Sequence, residues 1–109
     1  MNRIDSMLGL AAKAGRLKSG LYLCEEAIKK GKAYLVIVSE DAKTNTVKTL
    51  KDKCGFYHVP MRQYGTKDSL GDCIGKELRS CIVVTDKGFA EHIIKLIDER
   101  QDCSKGVME

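Results

Sequence analysis

The chain has 109 residues, with 19 Lys and Arg against 15 Asp and Glu, for a net charge of +4. Its apolar and charged shares are those of one globular domain, and the absence of Trp with only 2 Phe makes the core aliphatic. No apolar run approaches the roughly 18 residues that cross a bilayer, and a domain of this size can bury enough surface to fold alone.

The charge is unevenly placed. Up to Ala33 the cations are Arg3, Lys13, Arg16, Lys18, Lys29, Lys30 and Lys32, against Asp5, Glu25 and Glu26. Beyond that point acids and bases cancel, so the positive excess lies in the first third and predicts a one-sided basic surface. The N-terminus has a cation and small apolar residues, but Asp5, Ser6 and Lys13 interrupt any hydrophobic region, so it reads as an amphipathic helix rather than a leader. The cysteines (Cys24, Cys54, Cys73, Cys81 and Cys103) are scattered, odd in number and without a C-x-x-C pair. They read as buried free thiols rather than a disulfide framework or a zinc site. Both features point to a cytoplasmic protein with no membrane association.

Asn2 or Asp5 can cap a first helix, in which Ile4, Met7, Leu8 and Ala11 keep the spacing of a buried face until Gly15. Arg16 to Gly20 is a short extended link. Ser19 is the expected N-cap of a second helix, Gly20 to Lys30, stopped by Gly31. Tyr34 to Val38 is a strand whose continuous apolar run predicts cover on both faces. A third helix runs from Lys43 or Thr44 to Cys54, with Gly55 as its terminator, followed by a short edge strand, Val59 to Met61, marked by Pro60. Lys67 to Ile74 is a fourth helix capped near Thr66. Cys81 to Thr85 is the second strong strand, and Asp86 or Thr85 caps a last helix carrying Phe89, Ile93, Leu96 and Ile97 inward. Residues 101–109 have little apolar content and are expected to be loose. Helices alternating with doubly buried strands define an α/β fold, a three-layer α/β/α sandwich around a small mixed central sheet of about four strands and five helices. It forms one domain over residues 1–97 with a flexible tail over 98–109.

The residues offer no recognisable catalytic constellation. His58 and His92 have no nearby nucleophile and acid in a usable arrangement. Gly71 to Lys76 is one residue short of a phosphate loop, has Glu77 where a magnesium-binding Ser or Thr belongs, and follows a helix. Glu40-Asp41 reads as a solvated loop and helix-start pair. The chain is therefore read as non-enzymatic, without cofactor or metal.

What remains is basic. Lys13, Arg16 and Lys18 flank the second helix's entry, where Ser19 and Gly20 are expected to offer backbone N–H groups to an anion. Far along the chain, Gly75 to Ser80 reads as a mobile loop carrying Lys76 and Arg79, opening into the second strong strand. Cations with free amides suit a nucleic-acid backbone, and Tyr22 suits stacking on a base. The alternative for these residues is a solvated charged surface with Tyr22 half-buried.

The segments Ser19-Gly20, Ala27 to Gly31, Leu35 to Ala42 and Leu70 to Ala90, in that order, resemble the ribosomal protein L-seven-Ae superfamily of kink-turn RNA-binding proteins. The stretch LGxxIGKExR…VVTDxGFA is similar to its bacterial YlxQ-like branch. The resemblance covers Ile4 to Ile97 and implies the sandwich already described. It implies RNA contacts from Ser19, Gly20, Leu21, Tyr22, Leu23 and Glu26, and from Lys76, Glu77, Leu78, Arg79 and Ser80. Kink-turn binders usually carry Gly-x-Asn-Glu-x-x-Lys at the second helix. Here Tyr22 and Leu23 stand at the Asn and Glu positions and Glu26 at the Lys position; Leu23 cannot hydrogen-bond a base edge. The expected partner is ribosomal or other structured RNA, with ribosome- or translation-associated proteins as further candidates. The alternative is a protein-interaction module on the same fold, with Leu21, Tyr22 and Leu23 as its apolar contact.

Overall fold

The structure, a computed structural model, describes residues 2–108, and side chains over residues 2–100. The elements follow in the order α1 (Arg3–Lys13), β1 (Leu17–Ser19), α2 (Leu21–Lys29), β2 (Leu35–Val38), α3 (Thr44–Tyr57), β3 (Met61–Gln63), α4 (Lys67–Cys73), β4 (Cys81–Val84) and α5 (Lys87–Met108). The four strands form one mixed sheet in the order β1-β4-β2-β3. β4 pairs antiparallel with β1 and β2, while β2 and β3 run parallel.

The sheet is covered on both sides, as the unbroken apolar runs require. Every residue of β2 and β4 is buried. Alternation along the pleat divides them. Leu35, Ile37, Ile82 and Val84 pack with Ile4 and Leu8 of α1, Leu70 of α4 and Ile93 of α5. Val36, Val38, Cys81 and Val83 pack on the other side with Cys24 and Ile28 of α2 and Leu50 and Cys54 of α3. This is the expected three-layer sandwich. Cys24, Cys54, Cys73 and Cys81 are free and buried; burial pushes the Cys54 and Cys73 thiols up to about 11. Cys103 lies outside the residues whose side chains are described.

Several boundaries differ from the sequence reading. The link after α1 contains a strand, β1, because Leu17, Lys18 and Ser19 pair in register with Val84, Val83 and Ile82. β3 starts after Pro60, whose carbonyl accepts from the Val36 N–H at 2.9 Å, and it is an edge strand. Gly55 does not end α3. The helix continues to Tyr57 and closes on His58, which takes the left-handed conformation at φ 58°. Side-chain caps sit where expected: Asn2 accepts from the Asp5 N–H, Thr66 and Ser69 form a capping box, and Asp86 accepts from the Phe89 N–H. α5 runs through residue 97 without a break, and the Arg62 guanidinium grips the Asp98 carboxylate at 2.9 and 3.1 Å. The loose segment expected over 101–109 falls outside the described side chains.

A helix-interior glycine exposed to solvent costs helical stability without returning packing. A Cβ on Gly55 would meet nothing within 4 Å. Gly55→Ala is therefore expected to stabilise the protein by about 0.5–1 kcal/mol, read from the urea midpoint; destabilisation would mean that α3 ends before Gly55.

Candidate nucleic-acid interface

The second helix begins differently from its expected cap. Ser19 is the last residue of β1, held extended opposite Ile82. Gly20 is the N-cap, with φ 98° and ψ 149°, a region that L side chains rarely adopt. Its N–H is not free for an anion, because it donates to the Cys81 carbonyl at 3.1 Å. Without a side chain, Gly20 gives α2 no side-chain cap. The unpaired amides therefore belong to the first turn, Leu21 to Leu23, which has no intrahelical acceptor.

The freed Ser19 hydroxyl has another partner. Arg79 donates its Nε–H to Ser19 Oγ at 3.0 Å, across 60 residues of sequence, and an Nη1–H to the Leu78 carbonyl at 2.9 Å. The loop carrying Arg79, expected from its sequence to be mobile, is tied to the fold by backbone hydrogen bonds. The Lys76 N–H donates to the Gly71 carbonyl at 2.8 Å, and the Arg79 N–H to the Lys67 carbonyl at 3.0 Å. The Ser80 carbonyl accepts from the Ser39 N–H at 2.9 Å. Beneath it, Gly71 of α4 leaves room for the loop backbone: a Cβ there would lie 1.7 Å from the Glu77 carbonyl oxygen.

These contacts create a groove of about 630 Å³ between α1, β1, α2 and the loop. Lys13, Lys18, Lys76 and Arg79 line it, with Ser19 among them and Leu17, Leu23 and Ile74 as apolar wall. Residues from both ends of the sequence thus share one basic surface. Glu77 and Leu78 are exposed on the loop, Leu78 to 60 %. Arg16 is the exception among the expected cations. It lines a separate cleft with Lys30 and Lys32. Those two lysines were visible in the sequence only as part of a charged run.

Tyr22 is not half-buried; it is 74 % exposed on the first turn of α2, beside partly exposed Leu21 and Leu23. Glu26, one helical turn on, raises the Tyr22 phenol from its ordinary value, while Tyr22 and Lys30 lower the Glu26 carboxyl. Glu26 also pairs with Lys30 at 3.2 Å. The acid standing at the usual lysine position thereby has its charge partly offset along its own helix face. Deeper in the junction, the neighbouring Cys81 thiol and burial keep the Cys24 thiol far above its ordinary range, so it is a neutral packing group. Asp41 gives one carboxylate oxygen to the Lys67 N–H at 2.9 Å, a structural contact. Among the described residues no three His, Cys, Asp or Glu side chains are grouped to hold a metal ion. No described helix is long and apolar enough to cross a membrane.

A mixed four-stranded sheet between helical layers, with a basic groove where α2 begins and the loop before β4 arrives, defines a recognised class of small α/β domain. Residues 2–94 match the Ribosomal protein L7Ae/L30e/S12e/Gadd45 family. The RNA-binding protein YlxQ of Bacillus subtilis (strain 168) is 44% identical over 92 residues, covering 84% of this chain and 92% of that protein. The large ribosomal subunit protein eL8 of Cenarchaeum symbiosum (strain A) is 28% identical over 95 residues, covering 86% and 75%. A solved Bacillus halodurans C protein of unknown function superposes with a TM-score of 0.88 at 42% identity, over 90% of this chain and 99% of that one. The Giardia lamblia 15.5kD RNA binding protein shares the fold, with a TM-score of 0.77 at 22% identity over 87% and 84%. The chain belongs to the L7Ae/L30e/S12e/Gadd45 family, in its YlxQ-like branch.

Overpacking a buried close approach costs typically about 1–3 kcal/mol, and here the obstacle is backbone. Gly71→Ala is expected to destabilise the protein by at least that much and to displace the loop from Lys76 to Ser80, measured by urea unfolding and by amide shifts of the loop. A stable variant with an unmoved loop would show that the fit against Glu77 does not hold it.

Proposed function

We propose that the protein is a small, non-enzymatic RNA-binding protein associated with ribosomal or other structured RNA. It grips the phosphate backbone with Lys13, Lys18, Lys76 and Arg79, and presents the first turn of α2 to bases. The observation that carries this reading is the convergence of those cations on one groove, tied together by the Arg79–Ser19 hydrogen bond. The names of its relatives, an RNA-binding protein and a ribosomal subunit protein, support it. Phosphate contacts position an RNA, and base contacts select it. Selection falls to Leu21, Tyr22, Leu23 and the loop's Leu78, whose surfaces favour stacking and apolar contact over base-edge hydrogen bonding. This RNA is accordingly one with an unpaired or splayed base, bound without the polar pairing that kink-turn binders use.

A second reading has one observation of its own. Tyr22 and Leu78 are large apolar side chains exposed to 74 % and 60 %, which suits an anchor for a protein partner on the ribosome or in translation. Crosslinking in cells with identification of the crosslinked peptides separates the two. RNA joined to peptides from α2 and the loop supports the first, and a protein partner that survives nuclease supports the second.

The double variant Lys76→Ala/Arg79→Ala is expected to weaken RNA binding about tenfold at moderate salt. It should also reduce the slope of log affinity against log salt by about one to two, because each lost phosphate contact removes roughly 0.7–0.9. Filter binding across a salt series measures both. Unchanged affinity and slope would remove the loop from the interface.

A further inference from the structure

We propose that a second phosphate-binding cleft lies beside β1 and takes the RNA strand as it leaves the groove; this rests on the RNA-binding reading above. The cleft, about 280 Å³, is lined by Arg16, Lys18, Lys30 and Lys32, with Glu26 as its acid. Glu26 is already engaged by Lys30 at 3.2 Å, whereas Arg16, Lys18 and Lys32 are exposed and make no ion pair among the described residues. Three cations beyond Lys30 therefore line a small concave space whose one carboxylate, Glu26, is already paired with Lys30, an arrangement that gathers phosphate and releases counterions. Tyr34, 42 % exposed, and Thr85 add hydroxyl groups at its edge.

The backbone makes this a built feature. The Arg16 N–H donates to the Ala11 carbonyl at 2.9 Å, and its carbonyl accepts from the Thr85 N–H at 2.9 Å, so the residue is fixed at the end of the β1–β4 ladder. The Tyr34 N–H donates to the Val84 carbonyl at 2.9 Å and closes the same end of the sheet. Lys18 lines both cleft and groove, which places the two on either side of one short edge strand. From Arg16 to Ser19 an extended chain advances roughly 10 Å, a span that a few nucleotides of one strand cover. A single strand can thus occupy both sites without a break.

The test is fluorescence anisotropy with a labelled hairpin RNA, carrying six-nucleotide single-stranded flanks or none, titrated across a salt series. Arg16→Ala/Lys32→Ala is compared with the wild type and with Lys76→Ala/Arg79→Ala. Arg16, Lys32 and Lys76 are exposed and Arg79 is half-buried, so the melting midpoint of each double variant is measured to confirm folding. The expected result for Arg16→Ala/Lys32→Ala is a five- to tenfold loss of affinity for the flanked hairpin. Its salt slope should fall by about 1.4, two single-strand phosphate contacts at roughly 0.7 each, and its affinity for the blunt hairpin should match the wild type's. Wild-type affinity and slope on flanked RNA, alongside weakened binding by Lys76→Ala/Arg79→Ala, would overturn the cleft and leave the groove standing. Failure of the wild type to bind either RNA would overturn the RNA reading and the cleft with it.

Discussion

The antiparallel pairing of β1 with β4 is the constraint on which the basic face depends. Three residues, Leu17 to Ser19, are held against Ile82 to Val84. That contact carries the start of α2 to the same end of the sheet as the loop before β4. The Gly20 N–H to Cys81 carbonyl bond extends the pairing by one step, and the Arg79 to Ser19 bond ties the loop to it. A backbone hydrogen bond contributes on the order of 1 kcal/mol net. A three-residue ladder is therefore weak alone, and its permanence comes from the buried β4 and β2 behind it. The sandwich works as a clamp for an edge that would not persist by itself.

That rigidity has a chemical consequence. Cations on separate flexible segments must lose conformational freedom when they gather on an anion. Here much of that cost is met in folding, because loop and helix are already joined. The half-buried Arg79 serves both purposes, bonding Ser19 while keeping its guanidinium on the groove. Gly71 and Gly20 contribute by what they lack. One leaves room for the loop backbone and the other turns the chain from strand to helix at positive φ. The pairing of Glu26 with Lys30 offsets part of the negative charge that this acid brings to the basic face.

Much of the architecture was legible in the sequence because it is periodic. The helical spacing of Ile4, Leu8 and Ala11 and the unbroken runs Leu35 to Val38 and Cys81 to Val84 each state their own burial. What was hidden is non-local. β1 is three residues with a lysine at its centre, and only its partner makes it a strand. Ser19 has the chemistry of a cap, but strand pairing holds it extended and Arg79 takes its hydroxyl. Gly55 looked like a stop, yet Leu50 and Cys54 anchor α3 in the core and the left-handed turn falls at His58. The cations themselves could be read off; their division between groove and cleft, with Arg16 apart from Lys76 and Arg79, follows from how the strands are ordered. The ion pair of Glu26 with Lys30 follows from their spacing of four residues at the end of α2.

The central claim is that the start of α2 and the loop before β4 act as one binding surface. The most direct measurement is a titration of the isotopically labelled protein with a structured RNA, following backbone amide resonances. The account predicts that amides of residues 18–23 and 75–80 shift together along a single binding curve, while those of β3 and the C-terminal half of α3 stay still. Shifts confined to one segment, or centred on β3 and α3, would contradict it.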